Sequence, residues 1–344
     1  MGQNPHMTEQ RFDVAVVGAT GVVGEALVSL LEDRGFPLGT LHLLAGERSI
    51  GKRLEFKGKY LSVGNLADFD FSRVQLAFFA VPAAVAAQYV PQALAAGCFC
   101  IDNSAQYRYD DDVPLVVPEV NPAAICSYSA RRLIASPDAA TILLLTVLKP
   151  IADAAGVVRA NVTTLQAVTA GGRQAMDELA SQTVSLLSMR EVKTEHHQKQ
   201  IAFNVLPQTG QCLDNGYTFD ELEMLRGSQK VLEDDAIVVN QSVVRVPVFY
   251  GHSLAVNIET REHIGIAQVR EILSQAPGVE LGEAGEFPVV ATEATARNEV
   301  FVSRLHEDLT QPRGLNLWIV GDNVRKGAAL NSVQVAEILV KECL

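Results

Sequence analysis

The sequence lacks an excess of basic residues and a long uncharged apolar run. Lys and Arg number 28 against 40 Asp and Glu, which gives a formal net charge of −12 at pH 7. Because nucleic acids and anionic membrane surfaces are bound by basic faces, we expect neither as a partner. The longest uncharged apolar run, 76–87, contains Pro82 and is shorter than the roughly 20 residues that a bilayer span requires. We therefore expect no membrane-spanning segment.

Cysteine is also scarce, with five residues in the chain. An odd number cannot form a complete set of disulfides, and no signal-peptide pattern opens the sequence, so we predict a cytoplasmic protein. Cys98 and Cys100 are expected in the core, and Cys126 and Cys212 are expected as small buried or loop thiols. No spacing of His, Cys and carboxylates resembles a zinc site, so no metal is expected. Residues 1–6 are polar and patternless, and we exclude them from the fold prediction.

The apolar content of 48% in 344 residues is enough for two domains. In the first part, strands alternate with helices, which predicts a Rossmann-type parallel sheet. The predicted strands cover 12–17, 41–45, 74–80 and 98–102, and the predicted helices cover 25–34 and 84–96.

The pattern changes after about residue 137, where longer strands predict an α+β domain with a mixed or antiparallel sheet and helices on one face. The predicted helices cover 139–148, 174–187 and 328–340, and the predicted strands cover 161–168, 242–248 and 317–320. We assign 8–135 with 322–344 to an NAD(P)-binding domain, and 136–321 to a substrate-binding and dimerisation domain.

A glycine-rich turn joins the first strand to the first helix. Glycines at this place let the backbone approach a pyrophosphate, and the helix N-terminus attracts the anion. The spacing is GxxGxxG, looser than the GxGxxG fingerprint, and a plain tight turn is the alternative. The predicted cofactor contacts in this turn are Gly18, Thr20, Gly21, Val22, Val23 and Gly24.

The end of the second predicted strand bears on the choice between NADP and NAD. An acidic residue there binds a ribose diol, whereas a basic one binds a 2′-phosphate. The sequence offers both, in Glu47, Arg48 and Ser49. Arg48 with Ser49 favours NADP over NAD, and Glu47 is read as solvated.

Seven separate segments together resemble the aspartate-semialdehyde dehydrogenase family. They are 18–24, 48–52, 101–104, 113–121, 201–207, 245–253 and 318–334. The resemblance implies a fold similar to glyceraldehyde-3-phosphate dehydrogenase, a homodimer, and NADPH-linked reduction of aspartyl phosphate through a cysteine thioester. It adds Thr169, Ala170 and Asn323 to the expected cofactor contacts.

The residue that matches the family's nucleophilic cysteine is Ala139. The family places this cysteine at a helix N-terminus, where the dipole lowers the pKa of the thiol. The matching stretch, 135–141, has no cysteine, and alanine cannot form a thioester. Ser136, Asp138 and Thr141 are nearby, but unactivated hydroxyls are weaker nucleophiles, and Ser136 is predicted to be the helix N-cap. The chain thus resembles a paralogue that lacks the catalytic cysteine.

Two further positions depart from the family pattern. The match to the family's phosphate-binding lysine is Glu223, and a carboxylate there repels an anion. Arg108 and Asn103, which match the other phosphate contacts, are present. Pro82 replaces a glycine-rich turn beside the cofactor, so backbone contacts there must differ.

Four positions retain the family's substrate machinery. By resemblance, Gln166 orients the substrate, Arg245 grips its carboxylate, Glu221 faces its ammonium group and His252 is the acid–base residue. Each also has an ordinary structural alternative, such as a surface ion pair or a satisfied turn histidine. Together they predict a retained pocket for a small amino-acid-like ligand.

Three functional hypotheses follow. The first is a non-catalytic protein that binds nucleotide, a small amino acid or a partner. The second is an NADP-dependent oxidoreductase that acts on another small carbonyl through His252 without covalent catalysis. The third is residual dehydrogenase activity through a substitute nucleophile.

Overall fold

The computed structural model describes residues 10–127, 131–283 and 285–343. The polar segment 1–6 and the first two residues of the predicted first domain lie outside the described residues. Seven α-helices organise the described chain: α1 Val22–Asp33, α2 Ala83–Ala95, α3 Ala139–Ala155, α4 Gly172–Leu187, α5 Phe219–Leu232, α6 Ile266–Ser274 and α7 Asn331–Ile338.

A seven-stranded sheet forms the first part of the fold, in the order β3-β4-β2-β1-β5-β6-β7. Its strands are β1 Phe12–Val17, β2 Leu38–Ala45, β3 Arg53–Phe56, β4 Lys59–Asn65, β5 Leu76–Phe79, β6 Phe99–Asp102 and β7 Leu133–Ala135. All pairs are parallel except the β3–β4 hairpin. Its two turn residues, Lys57 and Gly58, have positive φ, which suits a tight hairpin turn. The parallel doubly wound sheet is confirmed, and the hairpin was not predicted.

A second sheet of six strands follows, in the order β11-β12-β13-β10-β8-β9. Its strands are β8 Val157–Gln166, β9 Val238–Arg245, β10 His252–Thr260, β11 Val279–Leu281, β12 Val300–Glu307 and β13 Gly314–Gly321. Antiparallel pairs join β8 to β10, β10 to β13 and β12 to β13, whereas β8–β9 and β11–β12 are parallel. The predicted mixed sheet of an α+β domain is confirmed.

Helix α3 lies between the two sheets. Residues 140–148 of this helix are all buried, as expected for a segment without a solvent face, whereas Asp153 near its end is exposed. Leu143 and Leu144 belong to one core cluster with Phe79 of the first sheet and Leu254 of the second. The two parts of the chain therefore share a core, and α3 begins where both sheets meet.

The C-terminal helix returns to the first sheet. Val333 and Ala336 of α7 are buried in the same cluster as Leu27 and Leu30 of α1. The predicted single helix over 328–340 is wrong in detail, because π-helical turns at Arg325–Leu330 and Leu339–Cys343 flank a shorter α7.

A disulfide connects Cys126 to Cys343, with a Cα–Cα distance of 5.6 Å and a sequence separation of 217 residues. The expectation that Cys126 is a plain buried or loop thiol is therefore wrong. Cys98 and Cys100 are buried as expected, and Cys212 is exposed. No helix within the described residues is long and apolar enough to cross a membrane.

Candidate active site

A cavity of about 290 Å³ opens at the N-terminus of α3. Its walls come from residues that follow β6 and β13, from the ends of β8 and β9, from the start of β10 and from α5. The polar and catalytic-position residues that line it are Asn103, Arg108, Asp138, Ala139, Gln166, Thr169, Asp220, Glu223, Arg245, His252 and Asn323. Most of the predicted substrate-site residues thus meet in one place.

Ala139 is the first residue of α3 and lines this cavity. The N-cap is Asp138, whose carboxylate accepts hydrogen bonds from the backbone N–H and the hydroxyl of Thr141. The prediction that Ser136 is the N-cap is wrong, because the Ser136 hydroxyl instead accepts a hydrogen bond from Asn331 Nδ2 at 2.8 Å. A helix N-terminus therefore faces the cavity with a methyl group at the position that the sequence predicts for the nucleophile.

No thiol replaces it among the described residues that line the cavity. The one hydroxyl there belongs to Thr169, and it is hydrogen-bonded to the side chain of Asn323 at 3.1–3.2 Å. Burial raises the pKa of the Cys98 thiol to about 11, so it is not an activated thiolate.

Arg108 is held by protein groups on every side. Its Nη1 donates to both carboxylate oxygens of Glu223 at 2.8 Å. Its Nε donates to the carbonyl of Ser136 at 2.9 Å, and its Nη2 donates to the carbonyl of Asn103 at 3.1 Å. Only 7% of Arg108 is exposed. The two N–H groups of Nη1 are thus taken by Glu223 and are not free for a phosphate.

Glu223 lies in an acidic environment despite this pair. Burial raises its pKa to about 7, the Arg108 guanidinium opposes that rise, and the carboxylates of Asp138 and Asp220 add to it. Further negative charge at this end of the cavity is unfavourable.

His252 is buried at the start of β10. The backbone N–H of Ala167 donates to its Nδ1 at 3.3 Å, which assigns the proton of the neutral ring to Nε2. Burial and the nearby Arg245 lower its pKa to about 3, so the ring is neutral at physiological pH. In this state His252 presents an N–H donor and not an imidazolium.

Arg245 and Gln166 have unused hydrogen-bonding capacity. Arg245 Nη1 donates to the carbonyl of Ala167 at 2.8 Å, and no carboxylate of the described residues forms an ion pair with it. Gln166 is 8% exposed, and its Oε1 has no hydrogen-bond partner among the described residues. Both side chains suit a bound ligand better than a closed protein network.

The carboxylate that lines the cavity with Arg245 and Gln166 is that of Asp220 and not that of Glu221. Glu221 forms a capping box with Thr218 at the start of α5, and its Oε1 accepts from the backbone N–H of Val243 at 3.2 Å. It does not line the cavity, whereas Asp220 does. Successive residues of a helix point about 100° apart, so a displacement of one residue moves the carboxylate to another face. Asp220 and Glu223 are three residues apart and lie on the helix face that lines the cavity, whereas Glu221 lies on another face.

A second cavity, of about 680 Å³, lies over the glycine-rich turn. Gly18 has a φ of +88°, and a Cβ there would lie 2.2 Å from the carbonyl oxygen of Ala80. A Cβ at Gly24 would lie 2.1 Å from the carbonyl oxygen of Gly18. The turn therefore needs glycine, and it leaves the open backbone that a pyrophosphate requires.

The other predicted cofactor contacts divide between the two cavities. Thr20, Gly21, Arg48 and Ser49 line the larger one, where the Thr20 and Ser49 hydroxyls are 3.0 Å apart. The contacts that line the smaller one are Val23, Thr169, Ala170 and Asn323. Val22 begins α1, and Gly24 packs inside its first turn. Pro82 lines the larger cavity as the N-cap of α2.

No group of three metal-ligating side chains occurs in 10–127, 131–283 or 285–343. Sequence reasoning missed two features of this site. One is the carboxylate of Asp220, and the other is the ion pair between Arg108 and Glu223. For Asp220, the signal was available in its spacing of three residues from Glu223, which places both on one helix face.

Family models match both parts of the chain. A semialdehyde dehydrogenase NAD binding domain matches residues 13–128, and a semialdehyde dehydrogenase dimerisation domain matches residues 148–326. The chain is 48% identical over 333 residues to aspartate-semialdehyde dehydrogenase 2 of Vibrio cholerae, covering 97% of this chain and 99% of the relative. It is 46% identical over 334 residues to the aspartate-semialdehyde dehydrogenase of Shewanella violacea, with the same coverage.

A solved structure supports the same assignment. The aspartate semialdehyde dehydrogenase II of Vibrio cholerae, complexed with ASA, superposes with a TM-score of 0.96 at 47% identity, covering 98% of this chain and all of that one. The shared fold, the glycine-rich nucleotide cavity and the cavity at the head of α3 agree with these matches. The chain belongs to the aspartate-semialdehyde dehydrogenase family.

Proposed function

We propose that this chain is a cysteine-less member of its family that binds NADP and a small amino-acid-like ligand without phosphate-dependent oxidation of aspartate semialdehyde. The observation that carries the proposal is Ala139, whose methyl group occupies the nucleophile position at the head of α3. The pairing of Arg108 with Glu223 weakens the anion subsite as well, although Arg108 and Asn103 still line it. Residual activity through a substitute thiol or a free hydroxyl has no support from the described lining residues.

The retained groups suit an amino acid. Arg245 can grip a carboxylate with the donors that Ala167 leaves free, and Asp220 can face an ammonium group. Gln166 offers the carbonyl oxygen of its side chain to a donor on the ligand. NADP would supply or accept hydride when bound, while these side chains hold and orient the second ligand.

A steady-state assay with aspartate semialdehyde, phosphate and NADP tests the proposal. We expect no NADPH formation above a blank, together with NADP binding in calorimetric titration. Turnover that requires phosphate would contradict the non-catalytic assignment. A chain that binds neither nucleotide would contradict the cofactor assignment.

One observation favours the non-covalent oxidoreductase as a second candidate. The Nε2–H of neutral His252 can donate a hydrogen bond to a carbonyl oxygen, and this needs no thiolate. A screen of small aldehydes and ketones for NADPH oxidation separates the two candidates. Oxidation that is lost in His252→Ala, while NADPH still binds, would favour the oxidoreductase.

We predict that NADP binds more tightly than NAD because Arg48 and Ser49 line the nucleotide cavity. Arg48→Ala should weaken NADP by about 1.5–3 kcal/mol, the usual worth of a hydrogen bond to a charged group, and should leave NAD nearly unchanged. Calorimetric titration of both cofactors measures the difference. An equal loss for both would make Arg48 a structural residue.

We predict a homodimer that forms through the second domain. The match to a dimerisation domain motivates this, and large apolar side chains such as Leu187 and Phe203 are mostly exposed in the single chain. Multi-angle light scattering at micromolar concentration should give twice the mass of 37.1 kDa. A monomer mass would refute the prediction.

A further inference from the structure

The α3 cavity has a carboxylate, that of Glu223, where the family pattern has a phosphate-binding lysine. Three carboxylates, those of Asp138, Asp220 and Glu223, line it together with the guanidinium groups of Arg108 and Arg245. Arg108 is paired with Glu223, so among the described lining residues the cation without an ion pair is Arg245, which suits the carboxylate common to all amino acids. Beside these groups, the carboxylate of Glu223 and the side-chain oxygen of Gln166 offer acceptors, and the neutral ring of His252 offers one N–H donor.

The orphaned acceptor of Gln166 is an independent observation. This side chain is 92% buried, since 8% is exposed, and its Oε1 has no hydrogen-bond partner among the described residues. A buried acceptor without a donor is costly, and a ligand N–H would satisfy it. Glu223 retains acceptor capacity too, because a carboxylate has about four lone-pair sites and Arg108 takes one on each oxygen.

We infer that the pocket binds an α-amino acid whose side chain ends in an amine or an amide. We infer also that it rejects an amino acid whose side chain ends in an acyl phosphate or a carboxylate. In this arrangement, Arg245 holds the α-carboxylate and Asp220 holds the α-ammonium group. The terminal nitrogen donates to Glu223, in the place where a family phosphate would have met a lysine. The inference rests on the proposed function, because it requires the retained amino-acid pocket.

Calorimetric titration of the NADP-loaded full chain tests the inference with three four-carbon probes. These are L-2,4-diaminobutyrate, L-asparagine and L-aspartate, which differ in the charge of the terminal group. We expect L-2,4-diaminobutyrate to bind at least about tenfold more tightly than L-aspartate, with L-asparagine between them, which corresponds to one charge-assisted contact. Equal or tighter binding of L-aspartate overturns the inference.

Glu223→Gln provides the matched variant, and Glu271→Gln on the exposed face of α6 provides the control. We expect Glu223→Gln to weaken L-2,4-diaminobutyrate about tenfold and to weaken L-asparagine less. Glu271→Gln should change neither. An unchanged ratio of the two ligands in a folded Glu223→Gln protein overturns the role of Glu223.

The wild-type ranking decides the matter even where Glu223→Gln fails to fold. Preference for L-aspartate, in a protein without phosphate-dependent turnover, refutes this inference and leaves the proposed function standing. If none of the three probes binds while NADP does, the amino-acid pocket is refuted, both for this inference and for the proposed function. Phosphate-dependent turnover by the wild type refutes the proposed function directly.

Discussion

Ala139→Cys combined with Glu223→Lys should raise phosphate-dependent oxidation of aspartate semialdehyde above the level of the unsubstituted chain, for which the proposed function expects none. The new thiol would stand at the N-terminus of α3, where the helix dipole favours a thiolate. The lysine would remove the carboxylate that holds Arg108 and restore a cationic anion site. NADPH formation should be measurable, although about 100-fold below a well-placed site, since a shift of about 1 Å can cost that much.

The single variants separate the effect of the missing thiol from the effect of the missing cation at the anion site. Ala139→Cys alone should give less turnover, because phosphate must still approach Glu223, and Ala139→Ser serves as the matched control without a thiol. Alkylation by iodoacetamide reports whether the new cysteine is reactive. A reactive thiol and intact NADP binding without any turnover would show that the substrate pocket itself has changed, and the binding-protein hypothesis would then lead.

Glu119→Leu should lower the free energy of unfolding by about 3–5 kcal/mol, because it leaves a buried ammonium group without its counter-ion. Lys326 is 0% exposed, and its Nζ lies 2.6 Å from Glu119 Oε1. Its other contact, with Gln334 Oε1, is 3.4 Å long. Burial lowers the pKa of Lys326 and Glu119 raises it, so loss of Glu119 favours the neutral amine. Urea denaturation measures the loss.

The pair has two informative controls. Glu119→Leu with Lys326→Met removes both charges and should recover most of the lost stability, as apolar replacements of buried ion pairs often do. Asp153→Asn breaks the exposed pair with Lys149 and should cost at most about 1 kcal/mol. A loss below about 1 kcal/mol for Glu119→Leu would mean that the surroundings of Lys326 solvate the charge in another way.

Local signals in the sequence predicted the parts of the fold that depend on neighbouring residues. The glycine-rich turn at Gly18 follows a buried strand and precedes a helix, so its conformation is set within a few residues. The head of α3 was equally readable, because the run of apolar residues after Ala139 permits little else. The Ser136 cap was wrong because Ser136 and Asp138 both have side chains that cap helices.

Contacts between distant residues could not be predicted in this way. Arg108 and Glu223 are 115 positions apart, and sequence alone showed a charge reversal without showing which cation it would engage. The link between Cys126 and Cys343 depends on the path of the last residues back to the first sheet. Tertiary packing, and no local propensity, decides such pairs.

The return of α7 to the first sheet sets the order in which the molecule can be completed during synthesis. The core beside α1 includes Ala329, Leu330 and Val333, so this side of the first sheet stays uncovered until the end of the chain emerges. The 217 residues between the linked cysteines take about 11–43 s to translate at ~5–20 residues per second. For that interval the residues of α1 and of the first sheet that pack against the C-terminal segment would stay exposed, and exposed apolar surface of this kind is what chaperones bind in general.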